Sequence, residues 1–135
     1  MDKPYEFLEH PADLKIKAFG KTKEELFLNI LRGMVAAQKM EIEDEEEVKR
    51  EVKIESPDLG SLMVDFLNEI IYLSQTNKEA YRRAEFKKFS ENSLEAELVG
   101  QKIKRFGEDI KAVTYHNLEI KKIDDHWEAI VIFDI

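Results

Sequence analysis

Asp13, Asp134 and the terminal Ile135 make the chain's clearest set of oxygen donors. A hard divalent cation binds oxygen, and carboxylates are its strongest protein ligands. Asp134 and Ile135 close the stretch Trp127 to Ile135, so an aspartate side chain stands beside the α-carboxylate of the last residue. Asp13 precedes the alternation Leu14, Ile16, Ala18. The two acids are far apart in sequence, so they form one site only if their strands end at the same rim. Other roles stay open: Asp13 can close a turn through local hydrogen bonds, and Asp134 can simply be solvated.

His10 and His116 are candidates to join such a site, as metal ligands or as acid and base near neutral pH, although a lone histidine more often has a structural role. Lys111 opens the segment Lys111 to His116. It is either an ordinary exposed lysine or a cation aimed at a phosphate or a partner's carboxylate. No glycine-rich phosphate loop, serine elbow or glycosidase-like pair of acids occurs. With no cysteine, disulfides, thiolate metal sites and cysteine nucleophiles are excluded. Catalysis by this chain alone has little support.

These residues need a scaffold. At 135 residues the chain suits one domain, residues 1–135. Its 29 acidic and 21 basic residues leave a net charge of −8, which argues against broad attraction to nucleic acid or an anionic membrane. No stretch approaches the roughly 20 apolar residues of a membrane span. The first residues also lack a signal-peptide core, so a cytoplasmic protein is expected.

Trp127, Ala129, Val131 and Phe133 alternate with Ile130 and Ile132, which predicts a central strand covered on both faces. Tyr5 to Leu8 is a short strand, interrupted by a turn at His10-Pro11-Ala12-Asp13 before a second strand that ends at Gly20. Thr22 and Glu25 fit a capping box. The helix they start carries Leu26, Phe27, Ile30, Leu31 and Met34 on one stripe and ends near Met40.

Six of the seven residues Glu41 to Glu47 are acidic, and the run reads as a solvated loop before a strand through Val48, Val52 and Ile54. A second helix follows, with Pro57 in its first turn. Its stripe runs from Leu59 through Leu62, Met63, Phe66, Leu67, Ile70 and Ile71, and Asn77 is its expected stop. Asp65, Asn68 and Glu69 are expected to face solvent. Two hairpins complete the chain, residues 81–103 and 110–135, the second turning at Asp124-Asp125.

Arg82, Arg83, Lys87, Lys88, Lys102, Lys104 and Arg105 concentrate positive charge. They would serve a protein or RNA partner, or pair with Glu85, Glu95 and Glu97 on a solvated sheet face, which is the preferred expectation. The element order predicts an α+β fold with two helices on one face of a largely antiparallel β-sheet, a mixed sheet being the variant left open.

Several blocks together resemble the archease family. His10-Pro-Ala-Asp-Leu14, Ala18-Phe-Gly20, Glu25-Leu-Phe27 and Gly33-Met34 match its N-terminal signature. Leu62 to Leu73 is similar to its central helix, and Lys111 to His116 and Phe133 to Ile135 to its two C-terminal signatures. The departures are small: Pro11 stands where Thr is commoner.

The resemblance implies an accessory protein, not an enzyme, that activates the tRNA-splicing RNA ligase. That ligase joins a 3′-phosphate or cyclic phosphate to a 5′-hydroxyl using GTP and manganese, and the accessory protein promotes guanylylation of its histidine and its turnover. By matching positions, Asp13, Asp134 and Ile135 would bind the family's divalent metal, usually calcium, with magnesium or manganese as alternatives. Lys111 would belong to the same end, and tRNA would be met only indirectly. A small metal-dependent phosphoester hydrolase and a chaperone-like adaptor are the competing readings.

Overall fold

The computed structural model describes residues 3–9 and 13–135. In chain order its elements are β1 (Tyr5–Leu8), β2 (Leu14–Gly20), α1 (Lys23–Gln38), β3 (Glu41–Glu55), α2 (Leu59–Asn77), β4 (Glu79–Phe89), β5 (Ser93–Arg105), β6 (Ala112–Ile123) and β7 (His126–Asp134). The fold is α+β, and the paired strands run antiparallel. The expected turn at His10-Pro11-Ala12 lies outside the described residues.

The strands divide between two sheets rather than one, ordered β1-β2-β7-β6 and β3-β5-β4. The apolar arc of α2 explains the division. Leu62, Met63, Val64, Phe66, Leu67, Ile70 and Ile71 are all buried, an arc wider than the stripe of a helix lying on one sheet. Accordingly α2 packs on β6 of one sheet and on β3 and β4 of the other, while α1 packs on β2 and β4. The strand β7 is central, between β2 and β6. Val131 and Phe133 on one side and Ile132 on the other are almost fully buried, as its alternation requires.

Helix ends follow local chemistry. The Thr22 hydroxyl accepts the Glu25 N–H at 3.1 Å, and the Glu25 carboxylate accepts the Lys21 N–H at 3.3 Å. At α2 the cap is Asp58, whose carboxylate accepts the Ser61 N–H at 2.7 Å. Pro57 therefore precedes the cap instead of lying in the first turn. Both helices end at a lysine in the left-handed region, Lys39 at φ 48° and Lys78 at φ 55°. The first helix thus stops at Gln38, slightly before Met40, and the second at Asn77 as expected.

The acidic run is not a loop. It opens β3, with Glu41 opposite Arg105 and Ile42 opposite Ile103, then bulges and rejoins the ladder at Glu47 opposite Gln101. Cations from elsewhere make this tolerable. Arg105 donates to Glu41 at 2.7 Å, Arg83 to Glu47 at 3.0 Å and Lys87 to Glu51 at 2.8 Å. Arg83 and Lys87 belong to β4, so their pairs with β3 reach across the intervening β5. Much of the basic patch is thus answered by the chain's own acids. Of the three expected partners of β4, Glu95 is used, by Lys88 at 3.3 Å, while Glu47 and Glu51 replace the others.

A different kind of pair holds the start of β4. Glu79 is 1% exposed, and its carboxylate accepts two hydrogen bonds from the Arg50 guanidinium, both 2.9 Å, and one from the Tyr81 hydroxyl at 2.6 Å. Donation from Arg50 holds the Glu79 carboxyl below the usual carboxylate range. Burial, reinforced by the bond to Glu79, pushes the Tyr81 phenol up to about 12.

Candidate functional site

Two sheet registers build one end of the molecule. Leu14 of β2 is paired with Phe133 of β7, and Ala112 of β6 with Asp134. Asp13 directly precedes Leu14 and Asp134 directly follows Phe133, so both acids flank the same end pair. Neighbouring antiparallel strands lie roughly 4.7–4.9 Å apart, so the acids belong to one rim. Asp13 is half-buried and Asp134 exposed. Ile135, 51% exposed, lines a cleft of about 350 Å³ with Phe7, Leu14, Lys39, Glu108 and Ile110.

Lys111 joins this rim through its backbone, its N–H donating to the Asp134 carbonyl at 2.8 Å. Its neighbours are fixed from α2. The Asn68 carboxamide accepts the Val113 N–H at 2.8 Å and donates to the Val113 carbonyl at 3.3 Å. Gln75 donates to the Ile110 carbonyl at 3.4 Å. Since β6 is an edge strand, its outward backbone groups have no neighbouring strand, and the Asn68 carboxamide stands in for a peptide unit there.

The polar side of α2 is therefore not simply solvated. Asp65 also has partners, accepting from Ser56 Oγ at 2.6 Å and from the Tyr115 hydroxyl at 3.4 Å. Asn68 and Gln75 were not nominated by the sequence, although their spacing of two helical turns puts them on one face, which was the available signal. Asn68→Ala is expected to cost about 2 kcal/mol, because it strands both polar groups of Val113. Hydrogen exchange of residues 110–114 should rise more than that of β7.

The loop before Lys111 is held from the other helix. The N–H groups of Gly107 and Glu108 donate to the Gln38 carbonyl at 3.2 and 2.8 Å, occupying the C-terminal end of α1. A Cβ at Gly107 would stand 2.3 Å from the Lys39 carbonyl oxygen, so only glycine permits this approach.

His116 is set apart. It lies four residues along β6 from Ala112, roughly 13 Å at strand rise, in a bulge where Asn117 takes φ 55° and the register breaks between Thr114 and Glu119. Its N–H bonds to Thr114 Oγ1 at 3.0 Å. His10 lies outside the described residues. Among the described residues no three His, Cys, Asp or Glu side chains gather as metal ligands do. A cation at this rim would draw on two carboxylates and on main-chain oxygens, an all-oxygen set that suits hard ions.

The profile of the Archease protein family matches residues 5–135, a span that includes Asp13, Lys111, Asp134 and Ile135. The chain belongs to the archease family. Protein archease of Methanosarcina barkeri (strain Fusaro / DSM 804) is 39% identical, covering 98% of this chain and 97% of its own. Protein archease of Pyrobaculum neutrophilum is 31% identical, covering 97% and 95%. A crystal structure from Thermotoga maritima, described as an archease and possible chaperone, superposes with a TM-score of 0.69 at 27% identity over 100% of this chain and 98% of that one. A solution structure of a Methanobacterium thermoautotrophicum protein gives the same TM-score at 28% identity, covering 98% and 99%. The archease match thus runs through both strands that carry the acidic rim.

Proposed function

We propose that this archease-family protein is a non-catalytic partner of the GTP-dependent tRNA-splicing RNA ligase, and that it promotes ligase guanylylation and turnover through the rim carrying Asp13, Asp134, Ile135 and Lys111. The observation that carries this reading is the register that seats both acids at one sheet end, with Lys111 bonded to Asp134. The carboxylates of Asp13 and Asp134 and the main-chain oxygens of Ile135 would hold a divalent ion, calcium first, with magnesium and manganese also compatible. When bound, such an ion supplies positive charge toward phosphate or carboxylate oxygens of the partner.

The chain's own groups do the rest. The acids present negative charge on a rigid sheet end, and the exposed Lys111 ammonium is a cation that can meet a phosphate. Phe7 and Ile135, 52% and 51% exposed, add apolar area beside them. Such a partnership is cytoplasmic, and no helix among the described residues is long and apolar enough to cross a membrane.

The test is single-turnover guanylylation of the purified ligase with folded Asp13→Ala, Asp134→Ala and Lys111→Ala variants. Full stimulation by all three would remove the reading. Turnover of RNA or phosphoesters by this chain alone would replace it with a hydrolase. The description of the Thermotoga maritima relative as a possible chaperone, with the exposed Phe7 and Ile135 here, favours a second reading as an adaptor. Broad suppression of aggregation that survives Asp134→Ala would support it.

A further inference from the structure

We propose that the groove along α1 is a track for the phosphate backbone of single-stranded nucleic acid. Two clefts form it. One, of about 480 Å³, is lined by Lys3, Lys21, Glu25 and Arg32 among others. The second, of about 300 Å³, is lined by Tyr5, Arg32, Lys39 and Arg82. Arg32 lines both, so they are neighbours along α1, and Lys39 also lines the cleft that contains Ile135. The track follows a helix of 16 residues, roughly 24 Å of length.

The walls of this groove gather cations on an acidic protein. Lys21, Arg32, Lys39 and Arg82 are exposed, and none makes an ion pair among the described residues, whereas Lys53, Arg83, Lys87, Lys88 and Arg105 are paired with Glu95, Glu47, Glu51 and Glu41. Lys3 is paired with Glu6, and Glu25 is the acid on the walls. Arg82 reaches the groove because the β4 register slips between Tyr81 and Arg83, leaving it the extra residue of a bulge. The exposed guanidinium groups of Arg32 and Arg82 offer planes on which bases stack as well as charge, and an acidic peptide would use only the charge.

The experiment is fluorescence anisotropy of a labelled 12-nucleotide uridine RNA with the full chain at rising salt. Wild type is expected to bind with a log–log salt slope of about −2 to −3, near −0.7 for each phosphate contacted on a single strand. Arg32→Glu with Arg82→Glu should weaken binding tenfold or more and flatten the slope, while Lys53→Glu, remote from the groove, should not. Arg32→Gln with Arg82→Gln provides a milder pair, and circular dichroism checks folding. Absent or salt-independent binding, binding undiminished by either pair, or equal competition by a polyglutamate peptide would overturn the proposal. So would self-association that seats the acidic bulge of a second copy in the groove. Ligase guanylylation without RNA reads the acidic rim, not this groove, so the two readings fail separately.

Discussion

Asp134→Ala is expected to lower stimulation of ligase guanylylation at least tenfold while leaving the fold intact. The side chain is exposed, and the bond that ties Lys111 to this strand uses the Asp134 carbonyl, which alanine retains. Stability should therefore change by no more than about 0.5 kcal/mol. Function should not be spared, because the proposed ion loses one of its few charged ligands. Even residues that only hydrogen-bond to metal ligands cost about 10–100-fold when removed, and a ligand should cost no less. Asp13→Ala should match it, and Lys111→Ala should fall short of both, since it leaves the carboxylates in place. Calcium titration by calorimetry gives an independent check: a wild-type heat that persists in Asp134→Ala would separate this residue from any ion.

Glu79→Ala in the other sheet is expected to cost about 3 kcal/mol. Removing one partner of a buried ion pair costs about 3–5 kcal/mol, and the lower end applies because the Arg50 side chain is 42% exposed and can reach water. The Tyr81 hydroxyl, buried beside it, would lose its shortest bond as well. The pH dependence has a definite sign. The folded Glu79 carboxyl titrates below its ordinary value of 4.5. Its contribution is therefore complete above that pH and is lost as pH falls through the lower folded value. In urea unfolding, the gap between wild type and Glu79→Gln should be widest near pH 7 and narrow toward pH 3. A gap independent of pH would mean that the charge on Glu79 contributes nothing.

Much of the scaffold was legible from short-range pattern. The alternation from Trp127 to Phe133 marked an interior strand because a strand buried on both faces has no polar face to show. Thr22 with Glu25 marked a helix start because the cap is closed by residues three positions apart. The hairpin turning at Asp124-Asp125 was readable for the same reason, with Asp124 taking φ 53°. Where the deciding partner was distant, the same reasoning failed. Glu41 to Glu47 looked like a loop since nothing nearby balances its charge, yet Arg83 and Arg105 reach it from other strands. Asn68 looked solvated because the strand edge it covers comes 45 residues later.

The candidate site divides along the same line. Residue chemistry alone nominated Asp13, Asp134 and Ile135, the family resemblance added Lys111, and local periodicity put the acids at strand ends. Whether those ends coincide was decided by the pairing of β2 and β6 with β7, and His116 was carried away from them by a bulge. Side-chain type and near-neighbour spacing are written into the chain, so they determined the donors and the elements. Register between strands far apart in sequence depends on how both faces of each sheet are buried, so only the folded structure could bring the donors together.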